Sequence, residues 1–197
     1  MTTKAPPIPP RPFRFTHKQY YEMGKLGYFD GKRVELIFGE IIEMSPIGWL
    51  HHVGVSLVST IQTRVFAAGF YVDVQQPLSV PGTTPGSEPQ PDVAVIPGSP
   101  RDYTNHPTTA ALLVEVADTT LFYDTTTKAE LYATAAIPDY WVLDVTNRQL
   151  RVFRDPVPLP VGLGATAYQT HLILNASDSI SPLAAPNASI LASELLP

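Results

Sequence analysis

The chain has no cysteine in its 197 residues. That excludes disulfides and thiolate metal sites and suits a reducing compartment. It has no uninterrupted apolar run near the roughly 18 residues of a membrane helix. The N-terminal sequence MTTKAPPIPPRPFRF lacks the apolar stretch of a signal peptide. These absences lead to the expectation of a soluble cytoplasmic protein with no membrane partner. Cations are also scarce: 13 Lys and Arg stand against 18 Asp and Glu, for a net charge of −5. Non-specific affinity for nucleic acid comes from Lys and Arg contacts, so this balance argues against a broad phosphate-binding surface.

What is present is apolar material for a core, at 44% of the residues. Length and hydrophobicity fit one domain over 15–197, preceded by an arm over 1–14 that holds five of the 21 prolines. Thr16 followed by Gln19 is a capping box and predicts a helix over 17–26. RVELIFGEIIEM (33–44) is β-rich around Phe38-Gly39 and predicts a hairpin. From Trp49 to Phe66 the apolar residues recur at helical spacing. FYVDVQ (70–75) reads as a strand. PDVAVI (91–96) and ALLVEV (111–116) are nearly continuous apolar runs, the pattern of central strands covered on both faces. A helix over about 125–136, a strand DYWVLDV (139–145), two later strands at 148–154 and 165–174, and a short helix after Asn187 complete the order. The expected fold is α/β, with a mixed sheet flanked by helices, an N-terminal hairpin and C-terminal antiparallel strands.

Asp92 opens one central strand and Glu115 lies near the end of the next. An ionised carboxylate in an apolar strand is costly unless paired or metal-bound, and two on neighbouring strands would repel. A shared divalent cation relieves both penalties, and hard oxygen ligands favour Mg²⁺ or Mn²⁺. The alternative is a pair of solvated strand-end acids. Asp124, Lys128 and Tyr132 follow at intervals of four and share a helix face. Lys128 there could reach the carboxylates and position or deprotonate a water, with Tyr132 orienting it. Otherwise Lys128 is a solvated helix residue and Asp124 an N-cap.

The succession PDVAVI, LLVEVADTT and DTTTKAELYATAAIPDYWVLDV resembles the Uma-two family of restriction endonucleases, a branch of the PD-(D/E)XK nuclease superfamily. The similarity extends over the ELIFGEIIEMSP hairpin, His51 and SPLAAPNASI. The resemblance implies a sheet core flanked by helices, Asp92 and Glu115 as ligands of Mg²⁺ or Mn²⁺, and Lys128 as the catalytic lysine. It also implies DNA as substrate, cut to leave a 5′-phosphate and a 3′-hydroxyl, and a homodimer if both strands are cut by a pair. Two features depart from the pattern. The superfamily's lysine usually stands two residues after the glutamate, where this chain has Ala117. Similar proteins also place a serine-proline turn after the strand, where this chain has Ala117-Asp118-Thr119; Asp118 adds negative charge near the expected metal, as an extra ligand or, by preference, a turn residue.

Four residues stand as accessories: Glu40, His51, Asp124 and Tyr132. Glu35 and Glu40 lie on opposite arms of the hairpin; either is first a solvated hairpin residue, and if one lends a carboxylate to the metal cluster Glu40 is preferred because it follows the turn. His51 is read as a phosphate contact or a group behind the ligands, against a surface histidine. His51 and His52 point about 100° apart on a helix, so they would not bind one ion together. The competing function is a non-catalytic interaction protein that keeps a nuclease-like fold.

Overall fold

The computed structural model describes residues 10–83, 85–160 and 165–197. Most of the proline-rich arm, residues 1–9, lies outside them. Residues 10–16 have no regular structure, and Phe15 N–H donates to the Gly39 carbonyl at 2.8 Å. The capping box forms: the Thr16 hydroxyl accepts from Gln19 N–H and opens α1 (His17–Lys25).

The hairpin forms where it was expected, as β1 (Val34–Ile37) and β2 (Glu40–Glu43) in antiparallel register. Its two central residues, Phe38 and Gly39, have φ of +48° and +78°. Left-handed conformation at both is the turn whose twist matches the strands. A Cβ at position 39 would sit 2.5 Å from Pro85 Cγ, so glycine is needed for space as well as for φ. Leu36 bridges to Glu88, which fastens β1 to the body, and all four β1 residues are buried.

The body is a six-stranded sheet in the order β3-β4-β5-β6-β7-β8. The strands are β3 (Phe70–Val74), β4 (Val93–Pro97), β5 (Leu112–Ala117), β6 (Asp139–Asp144), β7 (Gln149–Pro158) and β8 (Thr166–Asn175). Only the β5–β6 pair is parallel. The crossover between them carries α3 (Leu121–Tyr123), a π-helical turn (Asp124–Lys128) and α4 (Ala129–Thr134), as parallel neighbours require. The helical segment therefore starts earlier than the 125–136 expected. At the C-terminus, β9 (Ser179–Ile180) and β10 (Ile190–Leu191) pair and lead into α5 (Ala192–Leu195).

Strand parity divides the core into two layers. Val93, Val95, Leu112, Val114 and Val116 face α2 (Trp49–Val65), where Val55, Val58 and Ile61 meet them. Ala94, Ile96, Leu113, Ala117 and Val142 face the other way, toward Leu131 and Tyr132 of α4. The central strands are thus apolar on both faces, as their continuous runs implied. Gly54 lets α2 lie close on β5: a Cβ there would stand 2.8 Å from Val116 Cγ1. No helix among the described residues is long and apolar enough to cross a membrane.

Candidate active site

The β4–β5 register pairs Val93 with Val114. Continued by one residue, it sets Asp92 opposite Glu115, and both then share the α4 face of the sheet. The backbone locks the two together. Val116 N–H donates to Asp92 Oδ2 at 2.8 Å, and Asp92 N–H donates to Glu115 Oε2 at 3.3 Å. Gln75, just past β3, donates to Asp92 Oδ1 at 3.0 Å. Asp92 is 7% exposed and Glu115 2%, so neither is a solvated strand-end acid.

Lys128 reaches the pair from the crossover. Its ammonium donates to Glu115 Oε1 at 3.0 Å and to Glu35 Oε1 at 3.3 Å, and the residue is 1% exposed. The π-helical turn over DTTTK helps to place it. Thr125 and Thr126 hydroxyls donate back to the Leu121 and Phe122 carbonyls at 2.7 and 2.6 Å, covering carbonyls at the wide turn. Asp124 and Lys128, at the two ends of this turn, are both buried. Tyr132, one turn on, donates to Glu115 Oε1 at 2.7 Å.

Two expectations need correcting. Glu40 is exposed and paired with Arg14, away from the cluster. Glu35 lies inside instead, because β1 is packed on both faces once it bridges to residue 88. Gln90 N–H donates to Glu35 Oε1 at 2.8 Å, while Oε2 is buried with no hydrogen-bond partner among the described residues. Asp124 is not an N-cap. Its Oδ2 accepts from the Thr120 hydroxyl at 2.5 Å, and Thr120 is the residue preceding the helix.

His51 is half-buried at the start of α2. Its Nδ1 lies 2.8 Å from the Val116 carbonyl and its Nε2 3.0 Å from Asp92 Oδ1. His52 points elsewhere, its ring beside that of Trp49. A cleft of about 150 Å³ opens onto His51, Asp92, Glu115, Asp124 and Lys128. Arg33, Gln90 and Asp118 also line it; the sequence weighs Asp118 as an extra ligand and reads it as a turn residue, and gives the other two no site role. Their one signal was proximity in sequence to Glu35, Asp92 and Glu115.

The electrostatics follow from crowding. Four buried carboxylates, Glu35, Asp92, Glu115 and Asp124, surround one buried ammonium. Burial, reinforced by Asp92, Asp124 and Glu35 and opposed by Lys128, pushes Glu115 well above the usual carboxylate range. Burial also acts against the charge on Lys128, but Glu115, Glu35 and Asp124 outweigh it and hold the ammonium firmly protonated. Burial would raise Asp92 too, yet His51, Val116 N–H and Gln75 bring it below its ordinary value. His51 moves the other way: burial disfavours its charge, and the Asp92 carboxylate with the Val116 carbonyl overrides that and raises it.

Asp124 is pushed up to about 6, first by burial and then by Asp92 and Glu35, against Lys128 and Thr120. A carboxyl raised in the folded state binds its proton more tightly there than in the unfolded chain. Its contribution therefore weakens as pH rises from about 4 to about 6. Asp124→Asn keeps an acceptor for Thr120 and should flatten this part of the stability–pH curve. Thermal melts at half-unit pH steps read the slope; an unchanged slope in the variant would assign it to another group.

The donor set fits a hard divalent cation. It offers carboxylates without thiolates, carries excess negative charge, and leaves Glu35 Oε2 buried and unpartnered. No three His, Asp or Glu side chains among the described residues converge as a ready-made metal cluster. Two carboxylates suffice for Mg²⁺, which keeps several waters and takes other ligands from substrate phosphates.

Comparison with known proteins adds to this geometry. The family model Uma2, described as "Putative restriction endonuclease", matches residues 18–193. The chain belongs to the Uma2 family. The match takes in the hairpin, both carboxylate strands and the π-helical crossover. The fold of this Uma2 protein also matches a crystal structure of "a putative nuclease belonging to DUF820" from Anabaena variabilis ATCC 29413. The TM-score is 0.66 at 13% identity, covering 92% of this chain and 97% of that one. No curated protein matches the chain.

Proposed function

We propose that the protein is a metal-dependent phosphodiester hydrolase acting on DNA, with Asp92 and Glu115 holding Mg²⁺ or Mn²⁺. The observation that carries this reading is the meeting of Asp92, Glu115 and Lys128 in one cleft, within a chain of the Uma2 family. A bound divalent cation supplies neutralisation of phosphoryl charge and a water activated at neutral pH. The chain's own groups do the rest. Val116 N–H and Gln75 orient Asp92, and Tyr132 orients Glu115, so both carboxylates are held before substrate arrives.

With Glu115, Glu35 and Asp124 favouring its ammonium form, Lys128 acts in this reading as a cation and hydrogen-bond donor that positions the attacking water. Two of its N–H groups serve Glu35 and Glu115, and the third is available to a water or a phosphoryl oxygen in the cleft. Ala117 explains why the lysine comes from the helix. That position is 1% exposed and packed in the α4-side core.

The test is cleavage of plasmid and oligonucleotide DNA with Mg²⁺ or Mn²⁺, beside Asp92→Asn and Glu115→Gln. Each variant should lower the rate by at least about 100-fold, the scale on which losing a preorganised electrostatic group acts. A wild-type protein that cuts nothing in either metal would leave the interaction-protein reading in possession. Cleavage that survives both substitutions would remove these two residues from the site.

A further inference from the structure

Glu35 stands apart from the other acids of the cluster. Asp92, Glu115 and Asp124 line the cleft with Lys128, and Glu35 does not. It is 1% exposed, and its one ion pair among the described residues is with Lys128, at 3.3 Å. Its Oε2 is buried with no hydrogen-bond partner among those residues. A buried carboxylate with an unpartnered oxygen costs stability, and such costs gather where a site requires them.

The position of Glu35 is set independently of the crossover that carries Lys128. Leu36 N–H donates to the Glu88 carbonyl at 3.4 Å, and Glu88 N–H returns to the Leu36 carbonyl at 2.6 Å. Gln90 then clasps β1 twice: its N–H donates to Glu35 Oε1 at 2.8 Å, and its Nε2 to the Val34 carbonyl at 3.2 Å. Asp92 follows directly on this strip, so residues 88–92 hold Glu35 and Asp92 in one register.

Lys128 needs such a fixed point. A lysine ammonium rides on a flexible four-carbon stem, and a single acceptor lets it swing. Two acceptors on separate elements fix the nitrogen, and with it the direction of the third N–H. Glu115 cannot be the whole anchor. Its Oε1 also accepts from Tyr132, and in the reading above it is a cation ligand. Glu35 has no second duty of that kind.

We propose that Glu35 is a positioning residue for the hydrolysis, holding the Lys128 ammonium from behind so that its remaining N–H faces the cleft. The proposal rests on the phosphodiester reading above and extends it to a residue outside the cleft.

Three variants separate placement from charge. Glu35→Gln keeps an oxygen on a side chain of the same length. Glu35→Asp keeps the charge and withdraws it by a methylene, and Glu35→Ala removes both. Lys128 is the one buried lysine among the described residues, so its ammonium protons should exchange slowly in protein labelled with ¹⁵N-lysine. Loss of the signal in Lys128→Met assigns it. The signal should persist in Glu35→Gln and disappear by exchange broadening in Glu35→Ala. With DNA and Mg²⁺, Glu35→Ala should lower kcat roughly 100-fold, the cost of an ångström-scale misplacement, and leave KM little changed. Glu35→Gln should cut faster than Glu35→Asp, and its melting temperature should still rise with Mn²⁺. If Glu35→Ala does not fold, the comparison of Gln with Asp carries the test.

An ammonium signal absent from the parent, or unchanged in Glu35→Ala, overturns the proposal. So does Glu35→Asp cutting at the parent's rate while Glu35→Gln fails, which would make Glu35 a counter-charge alone. Loss of the whole Mn²⁺ shift in Glu35→Gln also overturns it and makes Glu35 a ligand. A parent that cuts no DNA in any metal sinks the phosphodiester reading, and the ammonium signal still decides whether Glu35 holds Lys128. Cleavage at the parent's rate in Glu35→Ala does the reverse.

Discussion

Lys128→Met should cost the protein about 3–5 kcal/mol of stability, the scale for removing one partner of a buried ion pair. For a chain of this size that lowers the melting temperature by roughly 6–20 °C. The reason is asymmetry. Methionine replaces the volume, but Glu115 and Glu35 lose the ammonium they share, and each would be left a buried charge without a counter-ion. The deficit should shrink as pH falls, because protonated carboxyls need no cation. It should shrink again in the double variant Lys128→Met, Glu115→Gln, where one charge is gone. Denaturant melts of the three proteins at pH 5 and pH 8 check this. A single variant as stable as the parent at pH 8 would show that Lys128 is solvated in solution, as a helix lysine ordinarily is. Activity of this variant must accordingly be measured below its own melting temperature, or lost folding will pass for lost chemistry.

The second large effect is stabilisation by metal. Millimolar Mn²⁺ should raise the melting temperature of the parent protein. At a hundredfold excess over Kd the gain is about 2.7 kcal/mol, or roughly 5–11 °C. The cleft is primed for such a response because four carboxylates share one ammonium there, and further positive charge relieves their repulsion. Asp92→Asn should abolish most of the shift, since the amide is a poorer ligand for a hard cation and carries no charge. Glu115→Gln should do the same. Differential scanning fluorimetry with Mn²⁺, Mg²⁺ and an ionic-strength control separates binding from screening. An identical shift in the parent and in both variants would place the cation elsewhere.

Local chemistry made much of the molecule legible in its sequence. The Thr16–Gln19 box, the Phe38-Gly39 turn and the helical spacing from Trp49 onward are short-range signals, and the structure carries each of them. The two central strands were readable because a β-strand apolar on both faces has little other place than the middle of a sheet. Their adjacency then brings Asp92 and Glu115 together. Glu35 was obscured by symmetry: it and Glu40 sit in equivalent arms of one hairpin. Which arm turns inward depends on a bridge to residue 88, more than fifty residues away in the chain. The π-helical turn was also hidden. DTTTK reads as an ordinary helix start, and the extra width shows only when the threonine hydroxyls are seen covering the carbonyls. Burial of Lys128 could not be read from lysine itself, whose default is solvent. It follows from three acids brought close by strands far apart in the chain.

The ion cluster also has a history written into chain connectivity. Lys128 lies 13 residues from Glu115 but 93 from Glu35. The nearer pair can meet as soon as β5 and its crossover helix pack, whereas Glu35 arrives only when the hairpin has docked through Leu36 and Glu88. Closing the longer loop costs more entropy, and long-range contacts form slowly. The hairpin should therefore be the last piece of the site to settle and the first to leave. Amides of residues 34–43 should exchange with solvent ahead of those in 112–117, with the cleft losing one wall each time they do. Equal protection in the two segments would mean that hairpin and sheet open as one.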